Sequence, residues 1–402
     1  MERGDTRGGE DDALGIALGA GPTSVVGAVE AAARAIGASD VVLYMADLGQ
    51  TELVAMSDGS PAGGSRPSES VEASVAGRAF TEQRPVEVER PGGTRLFVPV
   101  LEGADRTGVL AMTLPPGSAA SAATTAAGVR LGHLVGYLIA THARTTDAFH
   151  HGRRIRHLSR AASMQWSMLP PLVVEAPGVR VAAALQPAYE VGGDSFDYAV
   201  NGPVLDVALM DAMGHGMGSA LIATLTMGTY RHERRHGGSL AEIHAALDEA
   251  VVERYDGDGF STGQLARLDL ARGELSWTNA GHPMPFLIRN GRLVGELACR
   301  PTRPWGLGTT GPAIGTVPVA TEMLQPGDRV LLYTDGVVDA RDRSDAEFGV
   351  DRLAELAAQR ATEERSPEET VRRLVEAVVA HRADDLADDA SLVLVEWGGP
   401  VP

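Results

Sequence analysis

The chain has 402 residues, which at about 150 residues per domain indicates two or three domains. With 44% hydrophobic and 22% charged residues, it has the composition of a globular protein that buries a core in each domain. The formal net charge of −18 argues against a partner that is nucleic acid or an anionic membrane surface. The single cysteine, Cys299, excludes a disulfide framework and a thiolate-clustered metal site.

The sequence gives no sign of a membrane or export segment. No apolar run approaches the length of about 18 residues that would predict a membrane span, and the charged, glycine-rich N-terminus is unlike a signal peptide. We therefore expect a cytoplasmic protein.

The first third of the chain has the pattern of a mixed α/β domain. Apolar and small residues at helical spacing predict helices over 13–36, 74–82 and 119–143. Short β-branched runs bounded by turn residues predict strands over 41–45, 52–55, 95–100 and 108–113, with the last two paired.

Residues 145–169 continue in helical style until two consecutive prolines end the pattern. The helix is amphipathic and must bury its apolar stripe. It either packs on its own domain or forms a two-helix coiled connector in a dimer. The stripe consists of Ile155, Leu158, Ala162 and Leu169.

The remaining chain alternates strands with helices. The dipeptide Asn290-Gly291 between two strand patterns predicts a tight hairpin, because both central residues of a type I′ turn need positive φ. Hairpins among the strands favour antiparallel sheets covered by helices over a doubly wound parallel sheet. Strands are predicted over 179–185, 204–210, 264–270, 274–278, 285–289, 292–296 and 392–396, and helices over 216–235, 240–254, 350–359 and 368–381.

Four aspartates lie in this second block where strand patterns end: Asp194, Asp211, Asp335 and Asp388. Taken singly, each Asp is explained as a turn residue. Taken together at the rim of a sheet, they predict an oxygen-lined pocket for Mg²⁺ or Mn²⁺, which prefer carboxylate and water ligands.

Six spaced motifs in this block resemble the sporulation-phosphatase (SpoIIE/RsbU-like) branch of the metal-dependent, type 2C protein phosphatases. The resemblance covers about 165–397 and implies an α-β-β-α sandwich. A further segment, "SMQWSMLPP" (163–171), resembles the region just before that domain. The motifs are "VGGDSFD" (191–197), "MDAMGHGMGSAL" (210–221), "TNAGHPMPFLI" (278–288), "LLYTDGVVDAR" (331–341), "EFGVDRL" (347–353) and "DDASLVLV" (388–395).

The resemblance implies a site with two Mn²⁺ or Mg²⁺ ions and hydrolysis of phosphoserine or phosphothreonine by a metal-bound water. It makes Asp211 the bridging ligand, with the backbone carbonyl of Ala212 nearby. Asp335 and Asp388 would complete the ligands of one ion, with Asp389 as the competing choice to Asp388. Asp194 would be a ligand of the other ion. Asp211 and Asp335 are thus the expected catalytic residues.

The segments "VAGRAFTEQRPVEV" (75–88) and "LFVPVLEGADRTGVLAMTL" (96–114) resemble a GAF domain. We therefore expect an α+β chain with a GAF-like α/β sensor over 13–144, a helical linker over 145–170 and the phosphatase domain over 171–397. The family resemblance implies a phosphorylated STAS-type anti-sigma-factor antagonist as substrate. If the connector forms the two-helix coil, the chain is a homodimer, which is the oligomer we expect, and the GAF ligand is open.

Two other functions compete with this interpretation. One is a catalytically idle GAF-dimer scaffold with a phosphatase fold, against which the four aspartates argue. The other is a zinc peptidase, since His232-Glu233-Arg234-Arg235-His236 has the H-E-x-x-H pattern. The two arginines and the following glycines favour a solvated helix end there. One departure from the family is Gly263-Gln264, where bulkier residues are common; it leaves the local packing open.

Overall fold

The computed structural model divides the chain into two units, Met1–His157 and Leu158–Pro402. The division falls inside the predicted linker 145–170. No helix in the described part of the chain has the length and apolar character needed to cross a membrane. The residues described are 15, 21, 25–56, 67–115, 122–186, 189, 192–308, 316–362, 366–382 and 389–400.

The first unit is built around an antiparallel sheet with the strand order β3-β2-β1-β6-β5-β4. Its strands are β1 (Ser39–Ala46), β2 (Glu52–Ala55), β3 (Ser68–Ser70), β4 (Val86–Arg90), β5 (Gly93–Glu102) and β6 (Asp105–Leu114). Its helices are α1 (Val25–Ala35), α2 (Val75–Glu82), α3 (Ala122–His142) and α4 (Ala148–Gly152).

Both faces of this sheet are covered, and β6 shows how the sequence achieves it. Leu110 and Met112 pack with α1 and α3, whereas Val109 and Ala111 pack with α2 on the opposite face. Successive side chains of a strand point to opposite faces, so an unbroken apolar run serves two cores. The predicted mixed α/β fold and the paired strands β5 and β6 are confirmed. Of the helix predicted over 13–36, residues 13–14, 16–20 and 22–24 lie outside the described residues.

The prediction of one helix over 145–169 is wrong. Helix α4 ends at Gly152, and the next helix, α5 (Arg160–Met168), begins only after a non-helical segment. Phe149 is buried in the core of the first unit, while Ile155, assigned to the apolar stripe, is 42% exposed. Ser159 starts α5 as its N-cap, its hydroxyl accepting from the Ala162 amide at 3.0 Å. The two halves of the predicted helix therefore belong to different units.

The second unit contains two antiparallel sheets, with strand orders β15-β12-β11-β10-β9 and β14-β13-β16-β17-β8-β7. The strands are β7 (Val173–Ala176), β8 (Val179–Gln186), β9 (Asp194–Asn201), β10 (Val204–Ala212), β11 (Ser261–Asp269), β12 (Glu274–Ala280), β13 (Phe286–Arg289), β14 (Arg292–Glu296), β15 (Ala320–Met323), β16 (Asp328–Tyr333) and β17 (Ala390–Trp397). The other helices are α6 (Met217–Arg235), α7 (Leu240–Tyr255), α8 (Asp335–Val338), α9 (Val350–Thr362) and α10 (Pro367–His381).

The layers of this unit form the predicted α-β-β-α sandwich. Helices α6 and α7 cover the first sheet, with Tyr230 and Leu247 in a core that includes Leu265 of β11. Helix α10 covers the second sheet, where Arg329 of β16 donates to the Thr370 hydroxyl at 3.5 Å. The two sheets are joined where the indole of Trp397 donates to the Leu270 carbonyl at 3.1 Å. The predicted hairpin is also confirmed, since Asn290 and Gly291 have φ of 52° and 69°.

The unusual Gly263 is explained by the residue that packs on it. A Cβ at this position would lie 2.4 Å from the ring of Trp305, which is fully buried. The backbone of Trp305 pairs with Ser261, so the indole is held over β11. The indole of Trp305, from the loop that follows β14, fills the space beside the strand.

His244 of α7 holds the same loop and gives a test by pH. Its ring nitrogens contact the hydroxyls of Thr278 at 3.3 Å and Thr302 at 3.0 Å, and burial lowers its pKa to about 4. An unfolded histidine has a pKa near 6.5, so the unfolded state takes up the proton first as the pH falls. The stabilisation is complete above about pH 6.5 and is lost as the pH falls towards 4.

We expect the wild type to lose about 2 kcal/mol more unfolding free energy than His244→Gln between pH 7 and pH 5. Urea unfolding at the two pH values measures this difference. Equal losses in the two proteins would show that His244 is not held neutral by the fold.

Candidate metal centre

Four chain segments meet at one end of the sandwich in the second unit. They are the start of β9, the end of β10, the turn from β16 into α8, and the start of β17. The first three carry Asp194, Asp211 and Asp335, which were singled out in the sequence. The fourth carries Asp389, the competing choice to Asp388. Antiparallel neighbours bring the end of one strand beside the start of the next, so distant parts of the chain reach the same edge.

Asp194 and Asp211 are direct partners across the β9–β10 ladder. Residues opposite each other in an antiparallel pair project from the same face, so both carboxylates point to one side. Gly193 is needed beside them, because a Cβ there would lie 2.8 Å from the Ala212 carbonyl oxygen and 3.5 Å from Asp211 Oδ1. Asp194 comes after strand β8 in the chain, as predicted, and it also begins β9, a strand that was not predicted. The β9–β10 ladder places it level with Asp211.

Asp389 reaches the same place from β17 and is fully buried. Its Oδ2 accepts from the backbone amides of Gly193 at 2.9 Å and Asp194 at 3.1 Å. The side-chain amide of Gln165 also donates to this oxygen, at 2.8 Å. Asp388 lies outside the described residues, so its assignment as a ligand stays a prediction.

Asp335 is the first residue of α8 and is exposed at this end of the sandwich. The preceding residue, Thr334, is buried, and its hydroxyl donates to Asp194 Oδ2 at 2.8 Å while accepting from the Ser391 amide at 2.9 Å. Gly336 packs closely on the next segment, since a Cβ there would lie 1.9 Å from the Asp389 carbonyl oxygen. These contacts place Asp335 next to the backbone of Asp389.

The electrostatics of the centre are those of crowded acidic groups. Burial raises the pKa of Asp194 well above its usual range, and the negative charges of Asp211 and Asp389 raise it further. Hydrogen bonds from Ser391 and Thr334 act in the opposite direction. A divalent cation would remove the repulsion and is matched by an all-oxygen donor set, so the residues fit the predicted Mg²⁺ or Mn²⁺.

The structure brings Asp194, Asp211 and Asp389 within electrostatic range, but it does not close a ligand shell around them. Among the residues that the structure describes, no three carboxylate, imidazole or thiol groups stand ready to hold a metal ion. The structure therefore shows that these chain segments converge, and which residues bind the metal stays a proposal.

Sequence reasoning missed Gln165 and Thr334 as partners of the aspartates. Gln165 could have been found, because it lies three residues after Ala162 and four before Leu169, on the predicted apolar face. A polar side chain on a buried face needs a partner. Thr334 carries no comparable signal, since a hydroxyl after a strand is a common turn residue.

Three histidines of the second unit belong to no group of metal-binding side chains among the described residues. His282 is buried, its Nδ1 is 2.8 Å from the Thr262 hydroxyl, and burial lowers its pKa to about 4. His215 is exposed in the loop before α6. The side chain of His232 is 66% exposed in the last turn of α6, beside the ring of His236. That position is a solvated helix end rather than the buried helix of a zinc peptidase.

Comparison with known proteins finds a sequence family model that matches part of this unit. Residues 202–398 match the model of Stage II sporulation protein E (SpoIIE). The chain is 26% identical over 231 residues to protein IcfG of Synechocystis sp., covering 49% of this chain and 35% of IcfG. It is 27% identical over 194 residues to phosphoserine phosphatase RsbP of Bacillus subtilis, covering 46% of this chain and 45% of RsbP. The chain therefore spans less than half of either relative.

The solved SiaA-PP2C domain of Pseudomonas aeruginosa has the same fold. It superposes with a TM-score of 0.50 at 21% identity, over 59% of this chain and 94% of that domain. The likeness thus extends over nearly the whole of the solved domain.

Proposed function

Since the second unit carries a phosphatase domain of the SpoIIE family, we propose that the chain is a Mn²⁺- or Mg²⁺-dependent protein serine/threonine phosphatase acting under the control of its first unit. The observation that carries the proposal is the convergence of Asp194, Asp211 and Asp389 at one end of the sandwich, with Asp335 on the adjoining helix. Two bound ions would supply an acidified water as nucleophile and neutralise the charge of the phosphate.

The proposed roles are those that the resemblance implies, and the positions of the residues support them. Asp211 lies at the end of β10, beside Asp194 on one side and the backbone of β11 on the other, and is the proposed bridging ligand. Asp194 accepts a hydrogen bond from Thr334 and is the proposed ligand of one ion. Asp335, exposed at the start of α8, serves the other with an aspartate of the 388–389 pair. Asp211 and Asp335 are the proposed catalytic residues, and the Ala212 carbonyl is an additional oxygen ligand.

The finer parts of the function rest on the resemblance. We propose that the substrate is a phosphoserine-bearing STAS-type antagonist of an anti-sigma factor. The GAF-like first unit would be the sensor. A cytoplasmic location and a homodimer stay predictions from the sequence, and the connector helix behind the homodimer is interrupted between Gly152 and Arg160. The name of the relative RsbP, a phosphoserine phosphatase, supports the reaction class.

Phosphate release tests the proposal. The full chain is incubated with p-nitrophenyl phosphate, and separately with phosphorylated STAS-domain proteins, with Mn²⁺ or with EDTA. We expect release from both in Mn²⁺ and none in EDTA. Release only from p-nitrophenyl phosphate would refute the substrate class, and no release with either would leave the idle scaffold as the better function.

A further inference from the structure

Gln165 connects helix α5 to the candidate metal centre. Its side chain is fully buried, and its Nε2 donates to the Asp194 carbonyl at 2.7 Å and to Asp389 Oδ2 at 2.8 Å. A side-chain amide has two N–H donors, and both are used here on two segments that come from different sheets. Helix α5 lies before the residues that match the family model, which begin at 202.

Further contacts fix α5 in this place. Ala161 packs so closely on Gly192 that a Cβ there would lie 2.9 Å from the alanine Cβ. At the other end of the helix, Arg231 of α6 donates to the Met168 carbonyl at 2.6 Å and pairs with the buried Asp197 of β9 at 2.7 Å. The position of α5 is thus tied to the strand that begins with Asp194.

The chemistry of an amide suits this position. A lysine or arginine could donate to Asp389 equally well, but its positive charge would compete with a divalent cation for the carboxylate. Glutamine orients the carboxylate oxygen and leaves its negative charge in place. Backbone amides of Gly193 and Asp194 hold the same oxygen, so Gln165 completes a set of neutral donors.

We propose that Gln165 is a positioning residue through which α5 sets the orientation of Asp389 and Asp194, and with it the affinity of the centre for divalent ions. The proposal rests on the proposed function in taking these aspartates as metal ligands. Displacement of α5 would withdraw the amide and weaken ion binding without removing a ligand. The helix that opens the second unit would thereby act as a control on metal occupancy.

The test is Mn²⁺ binding by titration calorimetry to full-length Gln165→Leu, which keeps the side-chain size and removes both donors. We expect binding about tenfold weaker than wild type, or about 1.4 kcal/mol. In phosphate release we expect half-saturation at about tenfold higher Mn²⁺, with kcat at saturating Mn²⁺ within about twofold of wild type. Ser167→Ala on the exposed side of α5 is the matched control and should bind as wild type.

A second variant guards against simple misfolding of the first. Ser159→Ala removes the N-cap of α5 without touching the centre, and we expect a weakening of Mn²⁺ binding of about two- to threefold. Unchanged Mn²⁺ affinity in Gln165→Leu, or in Ser159→Ala should Gln165→Leu not fold, would overturn the proposal. A wild type that binds no divalent ion and releases no phosphate would overturn the proposed function instead, so the two failures are distinguishable.

Discussion

Asp211→Asn is expected to lower Mn²⁺-dependent phosphate release by about 10³-fold or more. The amide keeps the size of the side chain but removes its negative charge, and an uncharged group is a poor ligand between two cations. Because Asp211 is half-buried at the end of β10, the fold should tolerate the change. Steady-state phosphate release in saturating Mn²⁺ measures the effect, and thermal unfolding confirms that the variant is folded.

The matched control for this variant is Asp258→Asn. Asp258 is exposed in the turn after α7 and has no place in the centre, so we expect activity within about twofold of wild type. If Asp211→Asn retained a comparable rate, the assignment of Asp211 as a catalytic ligand would be wrong.

The second large effect distinguishes the roles of Asp388 and Asp389. We expect Asp389→Asn to weaken Mn²⁺ binding by about 100-fold, because it removes a buried charge held by three N–H donors. An asparagine oxygen can still accept those hydrogen bonds, so the donors are not left unsatisfied. The resemblance favoured Asp388, whereas the buried position of Asp389 favours Asp389 as the more important carboxylate.

Calorimetric titration of both variants with Mn²⁺ decides between them. A large loss in Asp389→Asn with a small one in Asp388→Asn supports the assignment drawn from the structure. The reverse pattern would return Asp388 to the role that the motif comparison gave it, with Asp389 a buried partner of the backbone. Equal large losses would mean that both carboxylates take part.

Local signals predicted those elements whose shape is set by neighbouring residues. Asn290-Gly291 predicted its hairpin because few other residues tolerate positive φ at two successive positions. The helix predicted over 74–82 begins where Ser74 accepts from the Gly77 amide at 2.9 Å. The hairpins among the strands predicted antiparallel sheets covered by helices, and together with the family resemblance this order predicted the sandwich.

Features that depend on tertiary contacts could not be predicted from local sequence patterns. The break between α4 and α5 follows from the burial of Phe149 and Gly152 in the first unit, and helical periodicity does not report which core a residue joins. Strand β9 was missed because its first residues, Asp194 and Ser195, are polar and yet buried. Their burial follows from the partners that β17 and α5 bring to them.

The short β9–β10 connection has a consequence for insertions and deletions. Asn201 pairs with Val204, so only Gly202 and Pro203 form the turn, and Asp194 faces Asp211 at the far end of the same ladder. One extra residue in the turn could shift the pairing by one position and move one aspartate to the opposite face. A surface turn far from the candidate metal centre would thus have a fixed length, although surface loops usually tolerate insertions.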